Sequence, residues 1–428
     1  MVYLSIMKQS FYIHTLGCKV NQYNSQIIRE NFIHSGLKEE EYGSIQIVNG
    51  CMVTKKAERK TRKLIYSSLR KGEKVLVTGC YGRKKIPLKG VVSLPEEREL
   101  IKYVTGREQS LKSISSFHSH TRAFVKIQQG CSYSCSYCIV PKVRGEVYSR
   151  KVEEILREVE CLSPFYPELV ISGTHLGLYN DGEGADLASL VEEMLKRVQF
   201  SRIRFSSLEI NEITPELLTL FHHPRLCPHL HIPLQSGSDR ILKLMRRLYT
   251  KKVFLKKIEK IKRKFPDMAF TTDIMVGFPT EDDEDFLETL DAVEKVGFLR
   301  IHIFPYSIRE GTDAVSLTPQ VEESVKKERE RVLHDTAILS SLNFRRKFIG
   351  AKKTIIVEDK QKNGRRWGYS EDYIQISIGN NREAVPGISY TVTVTKVDKN
   401  STEGILIKKG EFYKNGGIRE KRRLLSVC

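Results

Sequence analysis

The sequence has 428 residues, 40% of them hydrophobic, and 71 Lys/Arg against 52 Asp/Glu, a formal charge of +19. A chain this long buries a large core in about two to four domains, and no apolar run in it is long enough to span a bilayer. Its nine cysteines lack the spacing of a disulfide framework, which excludes a stapled secreted scaffold and points to a reducing compartment and metal use. The start, MVYLSIMKQSFYIHTLG, has no basic leader before its apolar residues and does not read as a signal peptide. The positive balance favours a polyanionic partner, most simply nucleic acid, or else reflects a basic solvated surface.

Phe11 to Thr15 predicts a strand, Asn21 to Phe32 a helix, and Ile45 to Val48 a second strand. Thr54 stands where it caps a basic helix running through Leu69. Lys74 to Thr78 predicts a third strand, and Val91-Val92 a fourth. This alternation predicts a parallel α/β domain. Cys18, Cys51 and Cys80 each fall just past a strand's carboxyl end, where open α/β sheets hold ligands. They read either as core thiols or as ligands of one metal cluster. Lys55, Lys56, Arg59, Lys60, Arg62 and Lys63 crowd the second helix, as a phosphate clamp or as a solvated face.

From Ala123 to Tyr306 strand and helix signals alternate, with strands at 124–128, 168–172, 203–206, 229–233, 269–276 and 299–305. Helices are predicted at 152–161, 187–198, 213–221, 252–264 and 286–296. Six β/α units in roughly 180 residues are too few for a closed eight-unit barrel and predict an open (β/α)6 barrel. The first strand leads into GCSYSCSYCIVPKVR, residues 130–144, with Cys131, Cys135 and Cys138 in C-x3-C-x2-C spacing. Three such thiols can cap three irons of a cubic 4Fe–4S cluster and leave the fourth iron open. Structural zinc wants four ligands, commonly two C-x2-C pairs, and no second pair follows. Gly173, Gly237 and Gly277 end later strands and let backbone approach a ligand. His175, His229 and His231 read first as buried, hydrogen-bonded histidines. Asp273 is a candidate to orient substrate or to pair with Arg144. Arg240, Lys243, Arg246, Arg247, Lys251 and Lys252 read as a solvated helix face or an RNA-backbone contact.

Val321 to Phe344 predicts a charged helix. Beyond Gly350 the period changes to two, with strands at 354–357, 367–375 and 390–397 and turns at Gly364, Gly387 and Gly404. A small five-stranded barrel of about 60 to 70 residues fits. Residues 341–428 hold 19 Lys/Arg against 9 Asp/Glu, so this fifth of the chain carries over half the net charge. The end, IREKRRLLSVC, reads as a basic tail in which Cys428 plays no metal role.

The C-x3-C-x2-C loop with Tyr137 before its last cysteine resembles the radical S-adenosylmethionine (radical SAM) enzymes. Ile139-Val140-Pro141, Arg144-Gly145 and Ser149-Arg150 narrow the resemblance to the methylthiotransferase family. Thr15-Leu16-Gly17-Cys18-Lys19-Val20-Asn21-Gln22 is similar to its first motif, and Asn49-Gly50-Cys51 and Thr78-Gly79-Cys80 match its other two amino-terminal ligands. The family's usual Asn-Thr-Cys is Asn-Gly-Cys here, so a hydroxyl beside the ligand is lost. The resemblance implies two 4Fe–4S clusters, on Cys18, Cys51 and Cys80 and on Cys131, Cys135 and Cys138. It implies an S-adenosylmethionine pocket at Ser172, Gly173, Ser206, Ser207, Glu209, Gln235 and Ser236. The implied domains are 9–115 for the amino-terminal methylthiotransferase domain, 117–343 for the radical SAM core and 344–412 for an RNA-binding TRAM barrel, with a tail at 413–428. The first motif is most like the branch that methylthiolates C2 of N6-threonylcarbamoyladenosine at position 37 of tRNA. Sister branches act on N6-isopentenyladenosine or on a ribosomal-protein aspartate, and an RNA-binding iron–sulfur regulator is the non-enzymatic alternative. The implied partners are a tRNA anticodon stem-loop and an electron donor such as flavodoxin or ferredoxin, for a cytoplasmic monomer without membrane contact.

Overall fold

The structure is a computed structural model, and it describes residues 10–410 apart from 73, 109–110, 118–119 and 382. The basic tail with Cys428 and the outer edges of the first and third expected domains lie outside the described residues. The amino-terminal unit runs β1 (Ser10–Thr15), α1 (Lys19–His34), β2 (Lys38–Glu39), β3 (Ile45–Gly50), α2 (Lys55–Ser68), β4 (Lys74–Gly79), β5 (Val91–Ser93) and α3 (Glu97–Thr105). Its five strands form a parallel sheet in the order β2-β1-β3-β4-β5. β3 is buried along its whole length, as a central parallel strand covered on both faces must be. Thr54 caps α2 as its position predicts, accepting from the Ala57 N–H at 3.1 Å. The short β2 and α3 lie outside the sequence expectation.

The central unit continues with β6 (Ala123–Gln129), α4 (Val140–Val143), β7 (Tyr148–Ser149), α5 (Val152–Leu162), β8 (Glu168–Gly173), α6 (Leu187–Arg197), β9 (Arg202–Phe205), α7 (Pro215–Leu220) and β10 (His229–His231). Then come α8 (Asp239–Leu244), α9 (Lys251–Lys264), β11 (Ala269–Val276), α10 (Asp283–Val296) and β12 (Arg300–Pro305). β6, β8 and β9 are parallel, with β7 antiparallel on the edge. β10, β11 and β12 form a second parallel sheet. The sheets meet where Ile203 of β9 exchanges hydrogen bonds with Arg225 and Cys227 ahead of β10. This is a Rossmann-like α/β core, and its apolar interior is continuous with that of the first unit, from Phe11 and Phe32 through Val125 and Ile171 to Phe270. A buried knot adds to the joint: Tyr23 of α1 donates to Glu158 of α5 at 2.7 Å, and Arg150 pairs with Glu158 at 2.8 Å.

α11 (Glu323–Arg346) leads to a closed barrel of β13 (Lys352–Val357), β14 (Trp367–Tyr369), β15 (Gln375–Ser377), β16 (Ser389–Val397) and β17 (Thr402–Lys409). Two sequence expectations are corrected here. The single strand at 367–375 is two, because the chain turns between β14 and β15 with Tyr373 at φ 69°. Gly404 is not in a turn but inside β17, opposite Val394. No helix among the described residues is long and apolar enough to cross a membrane.

Candidate iron–sulfur and cofactor site

Parallel pairing of β1, β3 and β4 sets Thr15 beside Asn49 and Asn49 beside Thr78. The residues that follow, Cys18, Cys51 and Cys80, therefore emerge at one sheet edge, as free thiols of which Cys51 and Cys80 are buried. Two asparagines pin the three loops. Asn21 donates to the Leu16 carbonyl at 2.7 Å and the Gly50 carbonyl at 3.3 Å, and Asn49 donates to the Asn21 carbonyl at 2.8 Å. Gly79 (φ 71°) is required because a Cβ there would lie 2.3 Å from Asn49 Oδ1.

Arg144 closes the group from the other unit. Its guanidinium donates to Cys18 Sγ at 3.2 Å and to Asn21 Oδ1 at 2.5 Å. Burial acts to lower its pKa, but the adjacent Cys18, Cys80 and Cys51 raise it. Arg144 is thus not the partner of Asp273, which lies 3.4 Å from His231 Nε2 instead. Burial pushes the Cys80 thiol up to about 11, so a metal taking this thiolate displaces a held proton.

The expected loss of a hydroxyl beside Cys51 is also corrected. Thr61 of α2 places one there, accepting from the Cys51 N–H at 3.1 Å and donating to its carbonyl at 2.8 Å. A Cβ on Gly50 would stand 2.5 Å from Thr61 Cγ2 and 2.8 Å from Tyr81 Cβ. Gly50→Thr should therefore cost about 1–3 kcal/mol through overpacking. Urea melts of Gly50→Thr, Thr61→Ala and the double variant should show the double less destabilised than the sum of the singles. Simple additivity would show that the overlap is not the cause.

Cys131, Cys135 and Cys138 are half-buried free thiols on the loop after β6. Cys131 Sγ lies 3.2 Å from His175 Nδ1, and His175 Nε2 makes a very short contact with Glu212. Tyr133 also donates to Glu212, at 3.0 Å, and its ring meets the His175 ring edge-on. Burial opposes protonation of His175, but the bonds to Cys131 and Glu212 outweigh it and lift its pKa to about 9. Arg247, only 4% exposed, donates to Cys135 Sγ at 3.5 Å and is locked by Glu209 and Tyr249. Burial pushes Cys138 up to about 12. Each thiol group thus has three free sulfurs and a buried arginine, a donor set that fits an anionic iron–sulfur cluster. Among the described residues no three His, Cys, Asp or Glu side chains converge on a single ion.

The remaining pocket candidates are placed as follows. Ser172 is buried and bonds to the Val125 carbonyl at 3.3 Å, and Gly173 packs on Leu176 and Gln128. Ser206 Oγ is buried without a partner among the described residues, Ser207 is half-buried, and Glu209 holds Arg247. Gln235, half-buried at φ 63°, forms an isolated parallel bridge with Ile274 of β11, and Ser236 is buried beside Thr289. The roles of Arg144, Arg247, Glu212 and Tyr133 escaped sequence reasoning. In particular, Arg247 is no RNA-backbone contact, and Arg240, Arg246 and Lys251 of the same run are tied to Asp285, Asp313 and Asp291. The α2 cations Lys55, Lys56, Arg59, Lys60, Arg62 and Lys63 are all exposed and form no salt bridge among the described residues. A groove of about 640 Å³ runs between β12, α11 and the barrel, lined by Arg300, Arg345, Lys362, Arg365, Trp367 and Lys399.

The profile of the radical SAM superfamily matches residues 125–293, and that of uncharacterized protein family UPF0004 matches residues 10–95. Over 396 residues the chain is 37% identical to the threonylcarbamoyladenosine tRNA methylthiotransferase MtaB of Thermotoga maritima, covering 86% of this chain and 91% of that protein. Over 395 residues it is 32% identical to the tRNA-2-methylthio-N(6)-dimethylallyladenosine synthase of Syntrophus aciditrophicus, covering 84% and 86%. Among solved structures, the cobalamin-dependent S-adenosylmethionine radical enzyme OxsB aligns with a TM-score of 0.49 at 14% identity, over 81% of this chain and 57% of that one. Thiol loop, core and superfamily match together define a radical SAM enzyme with iron–sulfur chemistry. Within that class, the chain belongs to the methylthiotransferase family.

Proposed function

We propose that this methylthiotransferase modifies C2 of N6-threonylcarbamoyladenosine at position 37 of tRNA, using S-adenosylmethionine and two 4Fe–4S clusters. The observation that carries the reading is the pair of thiol groups, one gathered beside Arg144 and one beside His175 and Arg247, in a chain whose relatives bear that activity in their names. On this reading Cys18, Cys51 and Cys80 hold one cluster, and Cys131, Cys135 and Cys138 the other. When bound, the clusters and S-adenosylmethionine supply electron, radical, sulfur and methyl group, which an inert C–H bond demands. The chain's own part is electrostatic and steric. Arg144 and Arg247 offset the thiolate charge, Glu212 and Tyr133 orient His175 against Cys131, and Ile139, Val143 and Met52 wall Cys80 from water. Ser172, Gly173, Ser206, Ser207, Glu209, Gln235 and Ser236 line or support the S-adenosylmethionine pocket.

The two central sheets make one open (β/α)6 curve within residues 117–343, between a methylthiotransferase domain at 9–115 and a TRAM barrel at 344–412 with its tail at 413–428. The anticodon stem-loop lies along the basic, tryptophan-bearing groove and the α2 cations. Its target base is unpaired, so presenting it costs less than extrusion from a duplex. A flavodoxin- or ferredoxin-like electron donor, a monomeric state and a cytoplasmic location complete the reading. Nucleoside mass spectrometry of total tRNA, with and without this gene, tests it. Loss of 2-methylthio-N6-threonylcarbamoyladenosine with accumulation of its precursor is expected. Loss of the isopentenyl derivative instead, or an altered ribosomal-protein mass with no nucleoside change, would overturn it.

A further inference from the structure

The segment after β12 holds a buried cation whose hydrogen bonds are incomplete. Arg309 is 6% exposed. Its Nη1 donates to Glu58 Oε2 at 2.6 Å. Its Nε and Nη2 are buried without a partner among the described residues. A guanidinium is always charged and presents five N–H donors in a fixed fork. Folded proteins seldom leave such donors empty once water is gone, because the missing bond is costly and more so for a charged group.

Contacts on both sides fix where Arg309 stands. Glu58 lies in the first turn of α2, and Thr61, three residues on and on the same helix face, brackets the backbone of Cys51. The other Glu58 oxygen accepts from Lys84 at 2.8 Å, and Lys84 ends the short turn that begins at Cys80. On the core side, Lys142 donates to the Gly311 carbonyl at 2.5 Å, and the Ala314 N–H donates to the Ser136 carbonyl at 2.8 Å. A Cβ on Gly311 would lie 3.8 Å from Ile139 Cδ1, and Ile139 packs with Val143 and Met52 over Cys80. Residues 309–314 thus strap the second cysteine loop to α2, beside the neighbouring loops of Cys51 and Cys80. The carboxylates around them are already engaged. Glu58 is shared by Arg309 and Lys84, Glu96 pairs with Arg83, and Glu97 with Lys126. Glu310, next in the chain, is exposed. Burial pushes the Cys51 thiol up, and the Val53 backbone, Arg144 and Arg309 pull against it. An anionic cluster on the three thiols would bring the acceptor sulfurs that Nε–H and Nη2–H lack.

We propose that Arg309 donates its free Nε–H and Nη2–H to sulfur of the cluster held by Cys18, Cys51 and Cys80, and so raises the reduction potential of that cluster from the central unit. This rests on the reading of those three cysteines as a cluster site. Reduction adds an electron, and a cation hydrogen-bonded to cluster sulfur stabilises the more negative state over the less negative one. Arg144 on the Cys18 side and Arg309 on the Glu58 side then bracket the amino-terminal thiols with two guanidinium groups, both supplied by the central unit.

The test uses the full chain with Cys131, Cys135 and Cys138 changed to Ala, so that only the amino-terminal cluster is reconstituted. Its potential is read by electron paramagnetic resonance during a redox titration. In this background Arg309→Gln should weaken one-electron reduction about tenfold, a shift of about 59 mV to more negative potential. Arg309→Lys should give a smaller shift of the same sign, because a point charge replaces the planar fork. It carries the test should the glutamine variant take up less iron. Glu58→Gln is the control for a purely structural role. It breaks the same ion pair but removes a negative charge, so it should leave the potential in place or raise it. An equal fall in Glu58→Gln and Arg309→Gln overturns the proposal, since the arginine would then act only by holding the strap. An unchanged potential in the Arg309 variants also overturns it, and an accompanying loss of tRNA or S-adenosylmethionine affinity would assign the free donors to that ligand. If the triple-alanine background shows no iron–sulfur absorption after anaerobic reconstitution, the cluster reading of Cys18, Cys51 and Cys80 fails and takes this inference with it. A cluster whose potential ignores Arg309 sinks the inference alone.

Discussion

Cys131→Ala should abolish reductive cleavage of S-adenosylmethionine, while Cys51→Ala should retain cleavage and yield no methylthiolated product. The two thiol groups sit on different sheets with separate supports. Cys131 belongs to the chain Cys131–His175–Glu212–Tyr133. Cys51 is held by Thr61 on α2. Removing one thiolate of three leaves the cluster site short of a ligand. Cys51→Ala leaves Cys135, Arg247 and Glu209 untouched, so the radical-generating loop keeps its geometry. Iron should fall by about half in either triple-alanine variant and to background when all six cysteines are changed. Iron analysis and 5′-deoxyadenosine production by the dithionite-reduced enzyme measure both effects. Normal product formation by Cys51→Ala would show that the amino-terminal thiols do not serve sulfur transfer. One coupling qualifies the separation. Arg144 is part of the radical loop yet binds Cys18, so Arg144→Ala should disturb both activities.

The strand-end cysteines were legible because parallel β-structure makes sequence position and spatial position nearly the same thing. A cysteine one to three residues past each of three neighbouring strands has one edge to occupy. The partners of those thiols were not legible, because they arrive from distant segments: Arg144 reaches Cys18 across 126 residues and Arg247 reaches Cys135 across 112. In a basic run such as Arg240 to Lys252, charge alone does not separate the one arginine that turns inward from those paired at the surface. The signal that separates them is local. Arg246 at φ 58° ends α8 and reverses the chain, swinging Arg247 under the cysteine loop. The break of the expected 367–375 strand has a similar origin. Tyr373 reads as a good strand former, but its ring stacks on Tyr369 and packs at a tilt on His229, and these tertiary contacts override local propensity. Gly50 misled in another way, since the hydroxyl missing from the motif is supplied by Thr61, 11 residues on in the sequence.

The largest stability effect should come from Glu168→Gln, far from the thiols at the opposite strand ends. Glu168 opens β8, is fully buried, and pairs with Arg202 at 2.6 Å and Arg204 at 2.9 Å, with Arg122 at 3.6 Å. Those arginines also fasten the barrel. Arg202 donates to the carbonyls of Thr354 and Tyr369, and Arg204 to those of Ser370 and Glu371. An amide at 168 leaves the buried Arg202 and Arg204 guanidinium groups without their shared counter-charge, while Arg122 keeps Glu358 at 2.7 Å, at a cost of about 3–5 kcal/mol. The exposed pair Lys151–Glu183 has a comparable separation, 2.7 Å, but 46% and 70% exposure, so Glu183→Gln should cost at most about 1 kcal/mol. Trp367 is the chain's one tryptophan and lies in β14, so its fluorescence during urea unfolding reports on the barrel itself. The pH dependence has a definite sign. Burial acts to raise the Glu168 pKa, but Arg204, Arg202 and Arg122 hold it well below the usual carboxylate range. A depressed folded pKa contributes stability that is fully present above the unfolded value, about 4.3, and is lost as pH falls from there toward the folded one. The gap between wild type and Glu168→Gln should therefore be constant from neutral pH down to about 5 and shrink only below that. A gap that instead opened on acidification, or a variant melting with wild type at neutral pH, would mean that the arginines find other partners and that the barrel is held by its apolar contacts with Leu299, Leu342 and Phe344.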